Sequence, residues 1–276
     1  MKIAYFDCPS GAVGDMILGA LVDAGVRLED LRRELDKLAL GGFALTAREV
    51  RKGAFRATKV GVEIDTSQDH PHRTLADILA ILGASALDEG VREGARRIFT
   101  RLAEAEARAH GTTPDTVRFH DVGAVDAIVD VTGSVAALAL LGIEQVHVSP
   151  LPLGGGFIDG PHGRVPVPAP GTAELLRGFL VTDTGVRAEL ITPTGAAILT
   201  TLGRPGFPTM TVTAVGYGAG TRDLPETPNV LRCLVGEAAT PGSAETIVEI
   251  QTTIDDMSPQ LYEPLVERLF EAGALD

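Results

Sequence analysis

The sequence predicts a mixed α/β (α+β) fold, with one large N-terminal domain over residues 1–237 and the start of a second α+β domain. Three observations support this. Apolar residues recur at helical spacing in some segments and at strand spacing in others, so both element types share one core. The 32 Gly and 17 Pro among 276 residues demand more turns and shaped loops than a helical bundle uses. Residues 238–246, opening Ala-Ala-Thr-Pro-Gly-Ser-Ala-Glu, read as a linker to residues 247–276.

Taken in order, Ile3 to Cys8 reads as a short buried strand. It runs into the turn Ser10-Gly11-Ala12-Val13-Gly14, after which Asp15 opens a helix through Met16, Leu18, Leu21 and Val22. This turn lacks the lysine of a phosphate loop, and Asp15 would repel a phosphate, so Asp15 is expected to cap the helix. Leu28, Leu31, Leu35 and Leu38 form one face of a second helix. Leu45 to Ile64 predicts a hairpin turning near Lys52-Gly53, with Val60, Val62 and Ile64 pointing inward. After a polar loop over Asp65 to Arg73 come a helix over Leu75 to Leu82 and the longest helix, about Asp88 to Ala109. The inner stripe of that long helix is Val91, Ala95, Ile98, Leu102 and Ala105. A very apolar helix follows, from about Ala124 to Leu141.

Strands are then expected at Val146 to Leu153, Val165 to Val167, Val186 to Ile191, Met210 to Val215 and Asn229 to Val235. Short helices fall at Thr172 to Arg177 and Thr194 to Leu202. Beyond the linker, Ile247 to Thr253 reads as a strand and Pro259 to Ala272 as a helix. One strand and one helix do not make a stable unit, so this domain is expected to be incomplete here or completed by another chain.

Composition narrows the function classes. Hydrophobic residues make up 45% of the chain but aromatics only 4%, with no Trp, so the core is expected to be Ala, Val, Leu and Ile. A formal charge of −13 argues against a nucleic-acid polymer or an anionic membrane as partner. Cys8 and Cys233 stand far apart, which argues against a disulfide framework or a structural zinc site, and Cys8 reads as a small buried residue. The N-terminus has no signal-peptide run and no segment approaches a membrane span, so a cytoplasmic location is expected.

The sharpest chemical anomaly lies in the helix near Ala124. Asp126 and Asp130 stand at i and i+4, on one face of an otherwise apolar segment. Either the helix dipole or an arginine accommodates them, or they converge with His120 and Asp121 on a cation. Two carboxylates and an imidazole suit a borderline divalent metal such as nickel, manganese or zinc. His70 and His72 flank Pro71 in an extended stretch and can present two imidazoles together; His162, in a tight turn, can join them. His110 and His147 read as structural or exposed.

Several turns suit an anion or a nucleotide. Thr192-Pro193-Thr194-Gly195 opens a helix, Gly154-Gly155-Gly156 lets backbone approach a ligand, and Gly216 to Asp223 pairs flexible backbone with Arg222. There is no Gly-x-Ser-x-Gly elbow, no His-Glu-x-x-His and no dinucleotide fingerprint.

Six stretches together carry a family likeness. They are Tyr5-Phe6-Asp7-Cys8 with Ser10-Gly11 and Gly14-Asp15-Met16; Phe119-His120-Asp121-Val122-Gly123-Ala124-Val125-Asp126; Pro166 to Pro170; Thr192 to Ala197; Gly216 to Gly220; and Ile254-Asp255-Asp256-Met257. In these the chain resembles the nickel-insertion (LarC) family of lactate racemase maturation.

The resemblance implies a lyase-class nickel chelatase, or cyclometallase, that completes a nickel-pincer cofactor. Its substrate would be pyridinium-3,5-bisthiocarboxylic acid mononucleotide, and its product holds nickel through two sulfurs and a ring carbon. CTP with Mn2+ or Mg2+ is implied as well. A base must take the ring proton, and His120 or Asp126 is expected in that role. The substrate phosphate would suit the Thr194 helix start or Arg222. The family continues past Asp276 into a domain associated with CTP. Implied partners are therefore that domain, the lactate racemase apoprotein, the sulfur-bearing mononucleotide and a second copy of the chain. A nickel-binding chaperone half without chemistry of its own and a metal-dependent phosphohydrolase are the rival readings.

Overall fold

The computed structural model describes residues 1–38, 40–65, 67, 73–117, 119, 124–160, 163–239, 249 and 251–274. They fall into two compact units, Met1–Ala239 and Thr240–Asp276.

The first unit is built on a mixed seven-stranded sheet. Its strands are β1 (Lys2–Asp7), the hairpin β2 (Phe43–Lys52) and β3 (Phe55–Ile64), β4 (Gln145–Val148), β9 (Gly203–Pro205), β10 (Met210–Ala219) and β11 (Val230–Ala238). They stand in the order β2-β3-β10-β11-β1-β4-β9. β1 pairs antiparallel with β11 and parallel with β4, while β3 meets β10 only where Thr58 faces Gly218. Gly53, at φ +59°, supplies the left-handed turn of the β2–β3 hairpin.

The helices are α1 (Gly14–Asp23), α2 (Leu28–Asp36), α3 (Leu75–Ala84), α4 (Glu89–His110), α5 (Val125–Leu140), α6 (Pro170–Leu175) and α7 (Pro193–Leu202). α1 lies on β3, β10 and β11, and α7 on β4 and β9; α5 packs against α1, α2, α4 and α7. That enclosed place explains why α5 is apolar almost all round. The long helix α4 follows its expected stripe, with Val91, Ala95, Ile98, Leu102 and Ala105 all buried. Its arginines also finish neighbouring helices: Arg97 donates to the Thr201 carbonyl at 3.2 Å and Arg101 to the Leu175 carbonyl at 3.1 Å. Both carbonyls lie in last turns, which intrahelical bonds leave open and where the dipole favours a cation.

Several expected elements come out differently. The segment Val146 to Leu153 is not one strand: Ser149-Pro150 breaks it into β4 and β5 (Leu151–Leu153), and β5 pairs in a separate sheet with β8 (Val181–Asp183). Proline has no N–H to continue the first ladder. Val186 to Ile191 forms no strand beyond a single bridge from Ile191 to Ala12. A short hairpin pairs β7 (Gly163–Pro166), near the strand expected at Val165 to Val167, with β6 (Phe157–Gly160), a strand that had not been expected. Val60 is buried as expected, while Val62 and Ile64, nearer the end of the strand, are half-buried.

In the second unit, a short 3-10 turn (Pro259–Leu261) leads into α8 (Tyr262–Glu271). Residues 249 and 251–253 form no strand, against expectation. Leu261, Val266, Leu269 and Phe270 are exposed, so α8 has an apolar stripe and no buried residue.

Candidate functional site

The site is built around the entry to α1. Residues 8–13, after β1, are tied down on both sides. The Cys8 amide donates to Ser149 Oγ at 3.0 Å, the Ser10 and Thr227 hydroxyls lie 3.0 Å apart, and the Ala12 amide donates to the Leu190 carbonyl at 2.9 Å. Three glycines then let α1 press into its neighbours. A methyl on Gly19 would stand 2.4 Å from the Thr58 carbonyl oxygen, one on Gly216 would stand 2.0 Å from that of Ala20, and one on Gly218 would stand 1.8 Å from that of Met16. At the helix start, a methyl on Gly14 would lie 2.4 Å from Asp130 Oδ2, so the α5 carboxylate rests directly on the α1 backbone.

This close approach gathers charge. Asp15 forms an ion pair with Lys59 of β3, and Lys59 Nζ also donates to Thr221 Oγ1 at 2.6 Å. Asp130 is partly buried, but its Oδ1 is wholly enclosed without a hydrogen-bond partner among the described residues, and so is Asp15 Oδ1. Burial, then the charges of Asp15 and Asp126, push the Asp130 carboxyl well above the usual carboxylate range; Lys59 opposes them. Asp126, in the first turn of α5, is exposed and accepts the Ala127 amide at 2.8 Å. Among the described residues, Lys59 pairs with Asp15 and offsets part of the negative charge at Asp130, while Asp126 adds to that charge, an arrangement that favours a proton or an added cation.

The expected cap at Asp15 is corrected by this geometry. Val13 holds the N-cap position with no side-chain cap, and Asp15 turns across to Lys59. A strong cation across the interface outcompetes a local backbone bond. Lys59 and Thr221 were not expected in the site. The one signal in the sequence was the glycine run Gly216 to Gly220, which marks a close approach of backbone.

Several expected ligand residues border the same place. Thr192 caps α7, its Oγ1 accepting the Gly195 amide at 3.2 Å, and a methyl on Gly195 would sit 2.0 Å from the Ala12 carbonyl oxygen. The N-termini of α1 and α7 thus meet just before Gly14. The anion cradle expected there is partly spent, because the Gly195 N–H is taken and Pro193 has none; Thr194 is half-buried in this first turn. A methyl on Gly154 would stand 1.7 Å from the Ala188 carbonyl oxygen, and the Gly155 amide donates to the Val186 carbonyl at 2.9 Å. Gly156 takes the left-handed conformation at φ +91°. These glycines therefore seat the 186–190 segment that leads toward Ala12. Arg222 is exposed, and its carbonyl accepts from Lys52 at 3.2 Å and from Asn229 at 3.0 Å.

His70, His72, His120, Asp121 and His162 lie outside the described residues. Among the described residues no group of three or more His, Cys, Asp or Glu has the geometry to hold a metal ion. His110 lies 3.6 Å from Glu106, and His147 lies 3.2 Å from Gln145 Oε1. Burial raises both thiols, Cys233 to about 12, so neither is primed as a nucleophile.

Fold and site together define a mixed α/β protein with an acidic cluster that, among the described residues, is only partly offset by Lys59. Residues 4–276 match the family described as Nickel insertion protein. The chain belongs to that family. It is 48% identical over 280 residues to a Geotalea daltonii protein and 49% identical over 281 residues to a Geobacter metallireducens protein, both named for nickel insertion. Each comparison covers 100% of this chain and 71% of the relative. A Desulfitobacterium hafniense relative, 48% identical over 284 residues, covers 100% of this chain and 70% of itself. Its name is pyridinium-3,5-bisthiocarboxylic acid mononucleotide nickel insertion protein. No solved structure matches the chain. No helix among the described residues is long and apolar enough to cross a membrane.

Proposed function

We propose that this chain takes part in inserting nickel into pyridinium-3,5-bisthiocarboxylic acid mononucleotide, yielding the nickel-pincer cofactor of lactate racemase, and that the Asp15–Asp126–Asp130 cluster, which by itself lacks the geometry to hold a metal ion, receives the cation together with residues outside the described ones. The observation that carries this reading is that the buried Oδ1 atoms of Asp130 and Asp15 have no hydrogen-bond partner among the described residues, where Asp15 pairs with Lys59. Nickel is the substrate here. Carboxylates are harder donors than the thiocarboxylate sulfurs of the acceptor, so they can hold the ion and release it. His120 and Asp121 are proposed to complete the ligand set, with His70, His72 and His162 as a feeding loop. Forming the carbon–nickel bond releases a ring proton, and the base proposed to accept it is Asp126, the exposed carboxylate of the cluster, or His120. The cationic pyridinium ring also suits an acidic surface.

CTP with Mn2+ or Mg2+ belongs to this reading on the family likeness, as do lyase chemistry, the domain that follows and a cytoplasmic location. The test is nickel titration of the purified chain, followed by addition of the sulfur-bearing precursor and CTP. Asp130→Asn and Asp126→Ala are expected to weaken nickel binding about tenfold or more while the fold is retained, taking one lost charged contact as about 1.5–3 kcal/mol. Nickel affinity unchanged in both variants would remove the cluster from the site. Tight uptake in the wild type without product, in the presence of CTP, would favour the non-catalytic chaperone.

A further inference from the structure

A second charged cluster lies where α4 meets α6. Arg101 and Arg108 stand two turns apart on α4, and Arg177 follows α6. Together with Glu104, Glu174 and Leu175 they line a cavity of about 250 Å³. In a chain of net charge −13, a pocket with three guanidiniums and two carboxylates is a local reversal of sign. Glu174 is already engaged twice, by Arg108 at 3.3 Å and by Arg177 at 3.2 Å. Arg101, half-buried at the bottom of this group, makes a single hydrogen bond among the described residues, to the Leu175 carbonyl. A neutral carbonyl does not balance a desolvated guanidinium; burial is the larger penalty, the neighbouring Arg108 adds repulsion, and Glu104, the smallest of the three influences, offsets them only in part. A guanidinium has five donors in a fixed fork, so most of Arg101's donors remain to be used.

We infer that this pocket is an anion site for a phosphate-class oxyanion, with Arg101 as its central donor and Arg108 and Arg177 as its rim. The oxyanion fits bidentate recognition by Arg, and a cavity of this size admits a phosphate group with part of what it is attached to. Glu174 acts as an internal stand-in: it holds the rim arginines while the pocket is empty and competes with an entering anion for them. The acidic cluster at Asp130 has no part in this inference.

The test is calorimetric titration of the whole chain with inorganic phosphate and, separately, with a ribonucleoside monophosphate. Arg101→Ala is expected to weaken binding at least about tenfold. Glu174→Gln is expected to tighten it several-fold, a gain that a purely structural ion-pair network would not give. Arg177→Ala, altered at a largely exposed side chain, is expected to weaken binding with the fold unchanged, which keeps the test valid if Arg101→Ala destabilises α6. Equal affinity for the two ligands assigns the site to the phosphate group alone; tighter binding of the monophosphate assigns it to a nucleotide. Absence of binding to both ligands, or weaker binding in Glu174→Gln, overturns the inference.

Discussion

Asp130 is costly to the fold, and on the proposed function that cost is what draws a cation to it. Its carboxyl is held above the ordinary carboxylate range, first by burial, then by Asp15 and Asp126. The folded state therefore keeps a proton that the unfolded chain has already released. Between the ordinary aspartate pKa and the raised one, the native state binds more protons, so stability falls as pH rises through that window and stays reduced above it. Metal-free protein should lose thermal stability across this range. Asp130→Asn should flatten the profile and raise neutral-pH stability by about 1–3 kcal/mol. Added nickel should raise the wild-type Tm at neutral pH and leave the variant nearly unmoved. Parallel melting profiles for the two proteins would show that Asp130 carries no such penalty. At this scale the sequence was partly legible. Asp126 and Asp130 stood out because i,i+4 carboxylates in an apolar helix are anomalous. Lys59 did not, because nothing within β3 announces which helix will lie over it.

At the scale of elements, the site depends on how closely α1 can approach the sheet. Gly216 and Gly218 of β10 have no side chain where Met16, Ala20 and Ala24 come down, and Gly19 faces Thr58 in the same way. Gly218→Ala would press a methyl against backbone, which has no flexible tip to swing aside. It should cost about 1–3 kcal/mol, read as a Tm several degrees lower, and should loosen the Asp15–Lys59 pair. Gly83→Ala, late in α3 with nothing within 4 Å of the added methyl, should instead stabilise by roughly 0.5–1 kcal/mol. Similar destabilisation by both substitutions would mean that helix packing against β10 is not the controlling contact. Elements with a strong local signal were legible from sequence: α2 and α4 follow their apolar stripes, α5 stood out by being apolar almost throughout, and the β2–β3 hairpin by its turn at Gly53. The short strands were not, because β5, β6, β8 and β9 are 3–4 residues long and owe their form to partners elsewhere in the chain.

For the whole molecule, the two units differ in what holds them. Every buried hydrophobic residue among the described residues lies between Ile3 and Val235. The unit Met1–Ala239 thus has a core of its own, whereas α8 contributes none. A chain ended at Ala239 should therefore melt cooperatively within a few degrees of the full chain. A peptide of residues 249–276 should show no cooperative transition by circular dichroism, because a lone helix of this length is marginal in water. A large loss of Tm on truncation would show that the second unit supports the first.

The sequence by itself determined the fold class, the main helices and the family, since periodicity, turn chemistry and ordered motifs are local properties of the chain. It also picked out Asp126 and Asp130 as residues with a problem to solve. Only the tertiary structure decided what stands opposite them. Asp15 comes from α1, Lys59 from β3 and Thr221 from the bend after β10, and side-chain-free glycines let α1, β3 and β10 close to van der Waals distance. Charge balance in a buried cluster depends on distances through space, and these are set by packing rather than by position along the chain.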